Sequence, residues 1–180
     1  LYYVEQRRGG GGRAADGTGV VELPADKNTT GRSPSSEIGR AAPDFLLATP
    51  DGGTLRLSDL QGRPVLVNFW ASWCTPCRKE MPDIVRASDA HRDRGLVVVA
   101  VDLQENVDQV RTFAKEFGMT FPIVIDRDGS VGDAWRIGGP VQGIPSSYFL
   151  DASGVVQARV FGPLTAETIA ENLAKIGVTE

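Results

Sequence analysis

Two short runs of branched apolar residues, separated by a single helical segment, constrain the fold of this chain more than any other feature. The runs are residues 65–70 and 96–101, and each has the length and apolar content of a strand that is covered on both faces. Between them a helix is predicted from about Cys74 into residues 89–94, with Met81 on its buried face. A strand, a helix and a second strand in this order predict parallel strands that are joined by a right-handed crossover.

The rest of residues 43–180 continues to alternate strand-like and helix-like segments. An Asp51-Gly-Gly turn between two short apolar segments predicts an opening β-hairpin. We therefore predict an α/β protein with a mixed central sheet flanked by helices and an N-terminal β-hairpin extension. The further predicted elements are strands at residues 45–48, 54–57, 122–125, 147–150 and 155–161, and helices at residues 107–117 and from about residue 165 to residue 176.

Residues 1–42 differ in composition from the remainder of the chain. They contain eight of the 21 glycines but only six residues from the set Leu, Ile, Val, Phe, Met and Trp. Such a segment buries too little apolar surface to offset the entropy lost when it is ordered. We therefore predict a flexible, disordered, glycine-rich tether over residues 1–42 and one folded domain over residues 43–180. The first residues, Leu1-Tyr-Tyr-Val4, fit the trimmed end of a membrane anchor as well as an ordinary chain terminus.

The charge of the chain argues against nucleic acid as a partner. Its 19 Lys and Arg residues against 23 Asp and Glu residues give a formal net charge of -4, so there is no overall basic field to attract phosphates. No stretch approaches the ~18 consecutive apolar residues that a membrane-spanning helix needs. With 41% hydrophobic residues, the chain has the apolar side chains for a packed core.

The two cysteines, Cys74 and Cys77, lie where the first central strand ends and the following helix begins. The unpaired N–H groups and the dipole at a helix N-terminus favour a thiolate at Cys74, which is therefore the predicted nucleophile. Cys77 lies one turn further, at a distance that a disulfide can close, and is the predicted resolving thiol. The predicted reaction is thiol–disulfide exchange with a redox-active disulfide and without any other cofactor or metal.

Other uses of the cysteine pair stay open at this point. A static disulfide across so short a loop would add little stability, because the entropic gain grows with loop length. A metal site would need further ligands, and the chain has no second cysteine pair and a single histidine, His91. The alternative function is a copper(I)-binding chaperone that uses the two thiolates as soft ligands.

The segments around the cysteines resemble the thioredoxin superfamily and, within it, the exported thiol-disulfide oxidoreductases of the TlpA/ResA type, a redoxin/AhpC-TSA-like group. The resemblance covers about residues 42–177. A peroxiredoxin would have proline and threonine where this chain has Val67 and Ala71, which disfavours peroxidase activity. The resemblance rests on Ala42-Pro-Asp-Phe45, Leu57-Ser-Asp-Leu60, Gly62-Arg-Pro64, Val67-Asn-Phe-Trp-Ala-Ser-Trp-Cys-Thr-Pro-Cys77, Glu80-Met-Pro82 and Gly143-Ile-Pro-Ser-Ser-Tyr-Phe149.

This resemblance implies a thioredoxin-like fold and a particular set of site residues. In the similar proteins the peptide bond before the proline matched by Pro145 is cis and faces the cysteine pair. Asn68 occupies the position of a buried aspartate in thioredoxins and cannot titrate. The similar exported reductases have a glutamate just after the second central strand, matched here by Glu105, and the resemblance implies that this residue exchanges protons with the thiols. A glutamate there also suits the start of the next helix without any chemistry. The residues implied to contact substrate are Trp73, Thr75, Pro76, Gly143, Ile144 and Pro145.

The resemblance also implies a cellular role. We expect a monomeric enzyme outside the cytoplasm, anchored to the membrane by an N-terminal segment that is missing from this chain. It would reduce protein disulfides, such as the haem-attachment cysteines of apocytochrome c, and be recharged by a membrane thiol electron donor of the DsbD/CcdA type. Residues 137–142 are a few residues longer than the usual approach to the proline, and this difference weakens the transfer of partner identity. The direction of electron flow depends on the reduction potential, which the sequence does not determine.

Overall fold

The computed structural model describes residues 17–139 and 143–179, which form a mixed β-sheet with helices on both faces. The sheet is built from short strands, and the helices lie in the connections between them. In chain order the elements are β1 (Gly19–Val20), β2 (Phe45–Ala48), β3 (Thr54–Arg56), β4 (Val65–Trp70), α1 (Thr75–His91), β5 (Val97–Leu103), α2 (Val107–Phe117), β6 (Ile123–Asp126), α3 (Ser130–Trp135), β7 (Ser146–Leu150), β8 (Val156–Phe161) and α4 (Ala166–Lys175).

The centre of the sheet has the predicted topology. The strands are ordered β1-β2-β6-β5-β4-β7-β8, and β3 pairs only with β2. β4, β5 and β6 run parallel to one another, whereas β7 pairs antiparallel with β4. β2 and β3 form the predicted antiparallel hairpin. The α/β class, the mixed sheet and the N-terminal hairpin are therefore confirmed.

The buried strands separate two apolar cores. Side chains of β4 alternate between the faces, so that Leu66 and Trp70 lie in one core and Val67 and Phe69 in the other. The first core packs under α1, α2 and α4. The second contains a tilted aromatic pair between Phe69 and Trp135, whose ring centroids are 5.6 Å apart. Both faces of β4 are covered, which explains why its sequence shows no polar alternation.

The boundaries of the long helices follow from their capping residues. Cys74 is the N-cap of α1, and Asn106 forms a capping box with Gln109 at the start of α2. α2 ends at Gly118, which has a left-handed backbone with φ of 64°. Thr165 caps α4. The bounds predicted for α2 and α4 are confirmed to within one or two residues.

Residues 17–42 are packed against the domain, so the ordered region begins before residue 43, where the sequence analysis places the boundary. β1 pairs with β2, and Ala41 forms a β-bridge with Val155. The segment is held largely by backbone hydrogen bonds, and these do not depend on the apolar residues that it lacks. The flexible tether stays a prediction for residues 1–16, which lie outside the described residues.

The described part of the chain also contains one helix that the sequence analysis does not predict. α3 is six residues long, too short to show a helical period. Its first turn is held by Asp126, whose carboxylate accepts the N–H of Val131 at 3.3 Å and that of Gly132 at 2.8 Å. Across the described residues, no helix combines the length and the apolar content needed to cross a membrane.

Candidate active site

Cys74 and Cys77 lie at the junction of β4 and α1, as predicted. They form a disulfide with an S–S distance of 2.08 Å and a Cα–Cα distance of 5.2 Å. Pro76 occupies the first turn of the helix, where a missing N–H costs nothing. The Cys74 Sγ atom accepts a hydrogen bond of 3.3 Å from the Cys77 N–H. The sulfur of Cys74 therefore receives one of the free donors of the helix N-terminus.

The two sulfur-bearing residues differ in their access to solvent. Cys74 is 4% exposed to solvent, whereas Cys77 is 0% exposed. Around Cys74, Trp73 is 70% exposed, and Thr75 and Pro76 are also exposed. An incoming disulfide can therefore approach the pair only on the side of Cys74, across an apolar surface formed by Trp73.

A second segment, residues 143–145 between α3 and β7, contacts Cys74. The Ile144–Pro145 peptide bond is cis, and the Ile144 carbonyl oxygen lies 3.8 Å from the Cys74 Sγ atom. The Ser146 hydroxyl fixes this segment by donating to the Gly143 carbonyl at 2.8 Å. The structure thus brings Gly143, Ile144 and Pro145 together with the cysteines. Of the longer stretch at residues 137–142, residues 140–142 lie outside the described residues.

A buried carboxyl lies one helical turn after Cys77. Glu80 is 1% exposed and shares the inner stripe of α1 with Met81. Its Oε1 atom accepts a hydrogen bond of 2.8 Å from Asn68 Nδ2, and its Oε2 atom accepts one of 2.6 Å from the Leu164 N–H. Burial raises the pKa of Glu80 to about 7, although both hydrogen bonds act in the opposite direction. Glu80 can therefore exchange a proton near neutral pH.

The sequence analysis gives Glu80 no role, although its position carries a signal. Relative to Cys77, the residues of the buried stripe are Glu80, Met81 and Ile84, at offsets of three, four and seven. An acidic residue at a position that periodicity assigns to the core is unusual. Asn68, on the neighbouring strand β4, holds this carboxyl by donating to its Oε1 atom.

Glu105 lies between β5 and α2 and is 7% exposed. Its Oε2 atom accepts the Ser72 N–H at 2.6 Å, and its Oε1 atom accepts the Ser72 hydroxyl. The carboxylate is thus tied to the residue two positions before Cys74. Its exchange of protons with the thiols stays a prediction.

A further buried acid, Asp102, lies beside Glu105 at the end of β5. It is 0% exposed, and its Oδ1 atom accepts the Glu105 N–H at 3.2 Å. Burial, with smaller contributions from the neighbouring Glu105 and Asp126 carboxyls, raises the pKa of Asp102 to about 8. Asp102 is therefore mostly a neutral acid at pH 7. Val98, Ala100 and Asp102 share one face of β5, and this alternation is the sequence signal that could have identified it.

The residues that the structure describes offer no cluster of three or more His, Cys, Asp or Glu side chains placed to hold a metal ion. The two sulfur atoms of Cys74 and Cys77 are joined to each other.

Comparisons with known proteins agree with this geometry. The sequence profile of the AhpC/TSA family matches residues 38–159. The thiol-disulfide oxidoreductase ResA of Geobacillus kaustophilus is 38% identical over 139 residues, which are 77% of this chain and 78% of the relative. ResA of Geobacillus thermodenitrificans is 37% identical over a segment of the same length and coverage.

Solved structures have the same fold. A thiol:disulfide interchange protein of the thioredoxin family from Chlorobium tepidum is 30% identical and superposes with a TM-score of 0.68, over 81% of this chain and 97% of that protein. StoA from Bacillus subtilis is 34% identical, with a TM-score of 0.60 over 71% of this chain and 94% of StoA. The thioredoxin-like fold implied by the resemblance is therefore confirmed. The chain belongs to the AhpC/TSA family and, within it, to the ResA-like thiol-disulfide oxidoreductases of the thioredoxin superfamily.

Proposed function

We propose that this protein exchanges electrons with protein disulfides through the Cys74–Cys77 dithiol. One observation carries the proposal: the Cys74 sulfur caps α1, accepts the Cys77 N–H, and belongs to the only one of the two cysteines that has exposed surface. A helix N-terminus stabilises a negative sulfur, and an accessible thiolate is the species that attacks disulfides.

The exchange has two steps. The Cys74 thiolate attacks one sulfur of the substrate disulfide, the substrate S–S bond breaks, and the other substrate sulfur leaves as a thiolate. Cys77 then loses its proton and attacks the Cys74 sulfur of the mixed disulfide. The second substrate sulfur leaves, so the substrate gains two electrons and two protons while the protein forms its own disulfide. A thioredoxin-like dithiol needs no other cofactor for this reaction, and we propose none.

Glu80 is the group we assign to the proton of Cys77. It lies one turn beyond Cys77 on the same stripe of α1, and burial places its pKa at about 7. A base whose pKa is close to the working pH is the most effective proton acceptor. The carboxylate form, which can accept the proton, becomes the major form as the pH rises through about 7.

Replacing Glu80 by glutamine is expected to slow the second step by about 10- to 100-fold and to remove its rise between pH 6 and pH 8, because glutamine cannot accept a proton. Ellman's reagent separates the steps: attack by Cys74 releases the first thionitrobenzoate, and attack by Cys77 releases the second. The control is Asp83→Asn, which removes a carboxylate that pairs with Arg86 on the outside of the same helix. An unchanged pH dependence of the second release in Glu80→Gln would exclude Glu80 as the acceptor.

The substrate surface that we propose consists of Trp73, Thr75, Pro76, Gly143, Ile144 and Pro145. Trp73, Thr75 and Pro76 are exposed, Gly143 and Ile144 are half-buried, and Pro145 is buried beneath them. The Ile144 carbonyl oxygen lies 3.8 Å from the Cys74 sulfur, and a backbone segment beside the reactive sulfur suits an extended polypeptide rather than a small molecule. We propose that the protein acts as a reductant, in keeping with the names of its ResA relatives, and that apocytochrome c is among its substrates.

The setting of the reaction is also a proposal. Protein disulfides form and persist outside the cytoplasm, so a reductase of such disulfides works there and needs electrons from a membrane thiol donor of the DsbD/CcdA type. We propose a monomer that is tethered to the membrane through an N-terminal segment.

The test of the proposed function is capture of the substrate. In Cys77→Ser the mixed disulfide cannot be resolved, so we expect a covalent adduct on Cys74 that forms with oxidised insulin or an oxidised haem-site peptide and disappears on adding dithiothreitol. The adduct is measured by non-reducing electrophoresis and mass spectrometry. The double variant Cys74→Ser/Cys77→Ser is the control and should capture nothing. Lack of an adduct in Cys77→Ser, with the reduced wild-type protein inactive on insulin, would reject the function.

A further inference from the structure

Ser72 is the point at which the loop before the cysteines is held. Its N–H and its hydroxyl both donate to the Glu105 carboxylate, and the N–H bond is 2.6 Å long. Its carbonyl oxygen accepts a hydrogen bond of 3.3 Å from Arg78 Nη1. All three polar groups of Ser72 are thus engaged by two charged residues of opposite sign. Because Ser72 immediately precedes Trp73 and Cys74, these bonds set where the loop presents both residues.

Glu105 is itself fixed by the backbone around it. Its N–H donates to Asp102 Oδ1 at 3.2 Å, and the preceding Gln104 N–H donates to the Asp126 carbonyl at 3.0 Å. Asn106, the next residue, is the N-cap of α2. Glu105 therefore connects the loop to the end of β5 and the start of α2, which are rigid elements of the domain.

Arg78, a residue of α1, holds Ser72 through its carbonyl oxygen. Its guanidinium lies 5.2 Å from the ring centroids of both Phe113 and Phe117, and it forms an ion pair with Glu116. A planar guanidinium can stack on aromatic rings and still donate at its edge, which an ammonium group cannot do in the same geometry. Arg78 therefore ties α1 to α2 and to the Ser72 carbonyl at the same time.

We propose that Glu105 and Arg78 are positioning residues that act through Ser72 to hold Trp73 and Cys74 in the geometry required for attack on the substrate. This inference rests on the proposed function of the same site. This role of Glu105 does not require proton exchange with the thiols. Misplacement of a reacting group by a fraction of an ångström slows a reaction without changing which groups ionise.

The test is a double-mutant cycle on the full chain, with kcat/KM for insulin reduction and the pH midpoint of Cys74 alkylation as readouts. Glu105→Gln retains a single acceptor oxygen and is expected to lower kcat/KM about tenfold, the effect of losing a hydrogen bond to a charged group. Ser72→Ala should lower it by a similar factor. The double variant should lose less than the product of the two single losses, because the hydroxyl bond that Ser72→Ala removes is one of the two bonds that Glu105→Gln weakens. The pH midpoint of Cys74 should stay that of the wild type.

Three further variants complete the test. Ser72→Thr keeps the N–H and the hydroxyl and should retain activity within about twofold. Arg78→Lys should lower kcat/KM several-fold, and it tests the proposal if Glu105→Gln does not fold. Glu171→Gln is the matched control, because this glutamate is exposed on α4.

Three outcomes would each overturn the proposal. They are additive losses in the cycle, a shifted pH midpoint of Cys74 alkylation in Glu105→Gln, and a loss of kcat/KM below twofold in both Glu105→Gln and Arg78→Lys. A wild-type protein without insulin reduction would instead reject the proposed function.

Discussion

Replacing Cys74 by serine is expected to lower the rate of protein disulfide reduction by more than about 1,000-fold, because a serine hydroxyl is not ionised at neutral pH and cannot displace a sulfur. The structure explains why Cys74 is the attacking cysteine: it caps α1 and is reachable from solvent, whereas Cys77 is fully buried. The rate is measured by insulin turbidity with dithiothreitol as the electron source. Cys77→Ser should also lose turnover but should still attack once.

Alkylation kinetics distinguish the roles of the two sulfurs independently of substrate. In reduced Cys77→Ser, Cys74 should react with iodoacetamide at a pH well below the ~8.5 midpoint of free cysteine. In reduced Cys74→Ser, Cys77 should react far more slowly, because it has no exposed surface. If Cys74 ionised no more readily than free cysteine and reacted more slowly than Cys77, the assigned roles would be reversed.

The sequence predicts the elements whose pattern is set by burial over several turns or along a whole strand. The parallel pair β4 and β5 and the helices α1 and α2 have runs or stripes of apolar residues, and their ends carry Cys74, Asn106 and Gly118. By contrast, α3 and the packed residues 17–42 depend on single hydrogen bonds and backbone pairing. Local hydrogen bonds leave no periodic signal in a sequence, which is why these parts differ from the prediction.

The same distinction applies to the candidate site. Cys74, Cys77 and the segment at Pro145 could be predicted because their residue types are rare and their motif is specific. The contacts of Ser72 with Glu105 and Arg78 join three separate segments, and only the three-dimensional structure places these side chains together. Sequence reasoning therefore found the two cysteines and singled out Glu105, but it did not find the contacts of Ser72 that join them.

The buried acid Asp102 is expected to make the protein less stable as the pH rises. In the unfolded chain an aspartate titrates near 3.8, whereas burial raises the pKa of Asp102 to about 8. Between these two pH values Asp102 keeps its proton in the folded state but has lost it in the unfolded state. The contribution of this group to the free energy of unfolding therefore falls with increasing pH. This contribution is fully present below about pH 4, and it is lost as the pH approaches and passes about 8.

Asp102→Asn removes this titration and keeps a side-chain oxygen that can accept the hydrogen bond from the Glu105 N–H. Relative to the wild type, the variant should gain about 3–5 kcal/mol in the free energy of unfolding at pH 9 and little at pH 4, since each unit of pKa shift corresponds to ~1.4 kcal/mol. Urea unfolding of the oxidised proteins at several pH values measures the difference, and oxidation keeps the cysteines from titrating. Asp93→Asn, at an exposed position, is the control and should show no such trend. A stability difference that stays constant from pH 4 to pH 9 would mean that Asp102 does not hold the extra proton of the folded state.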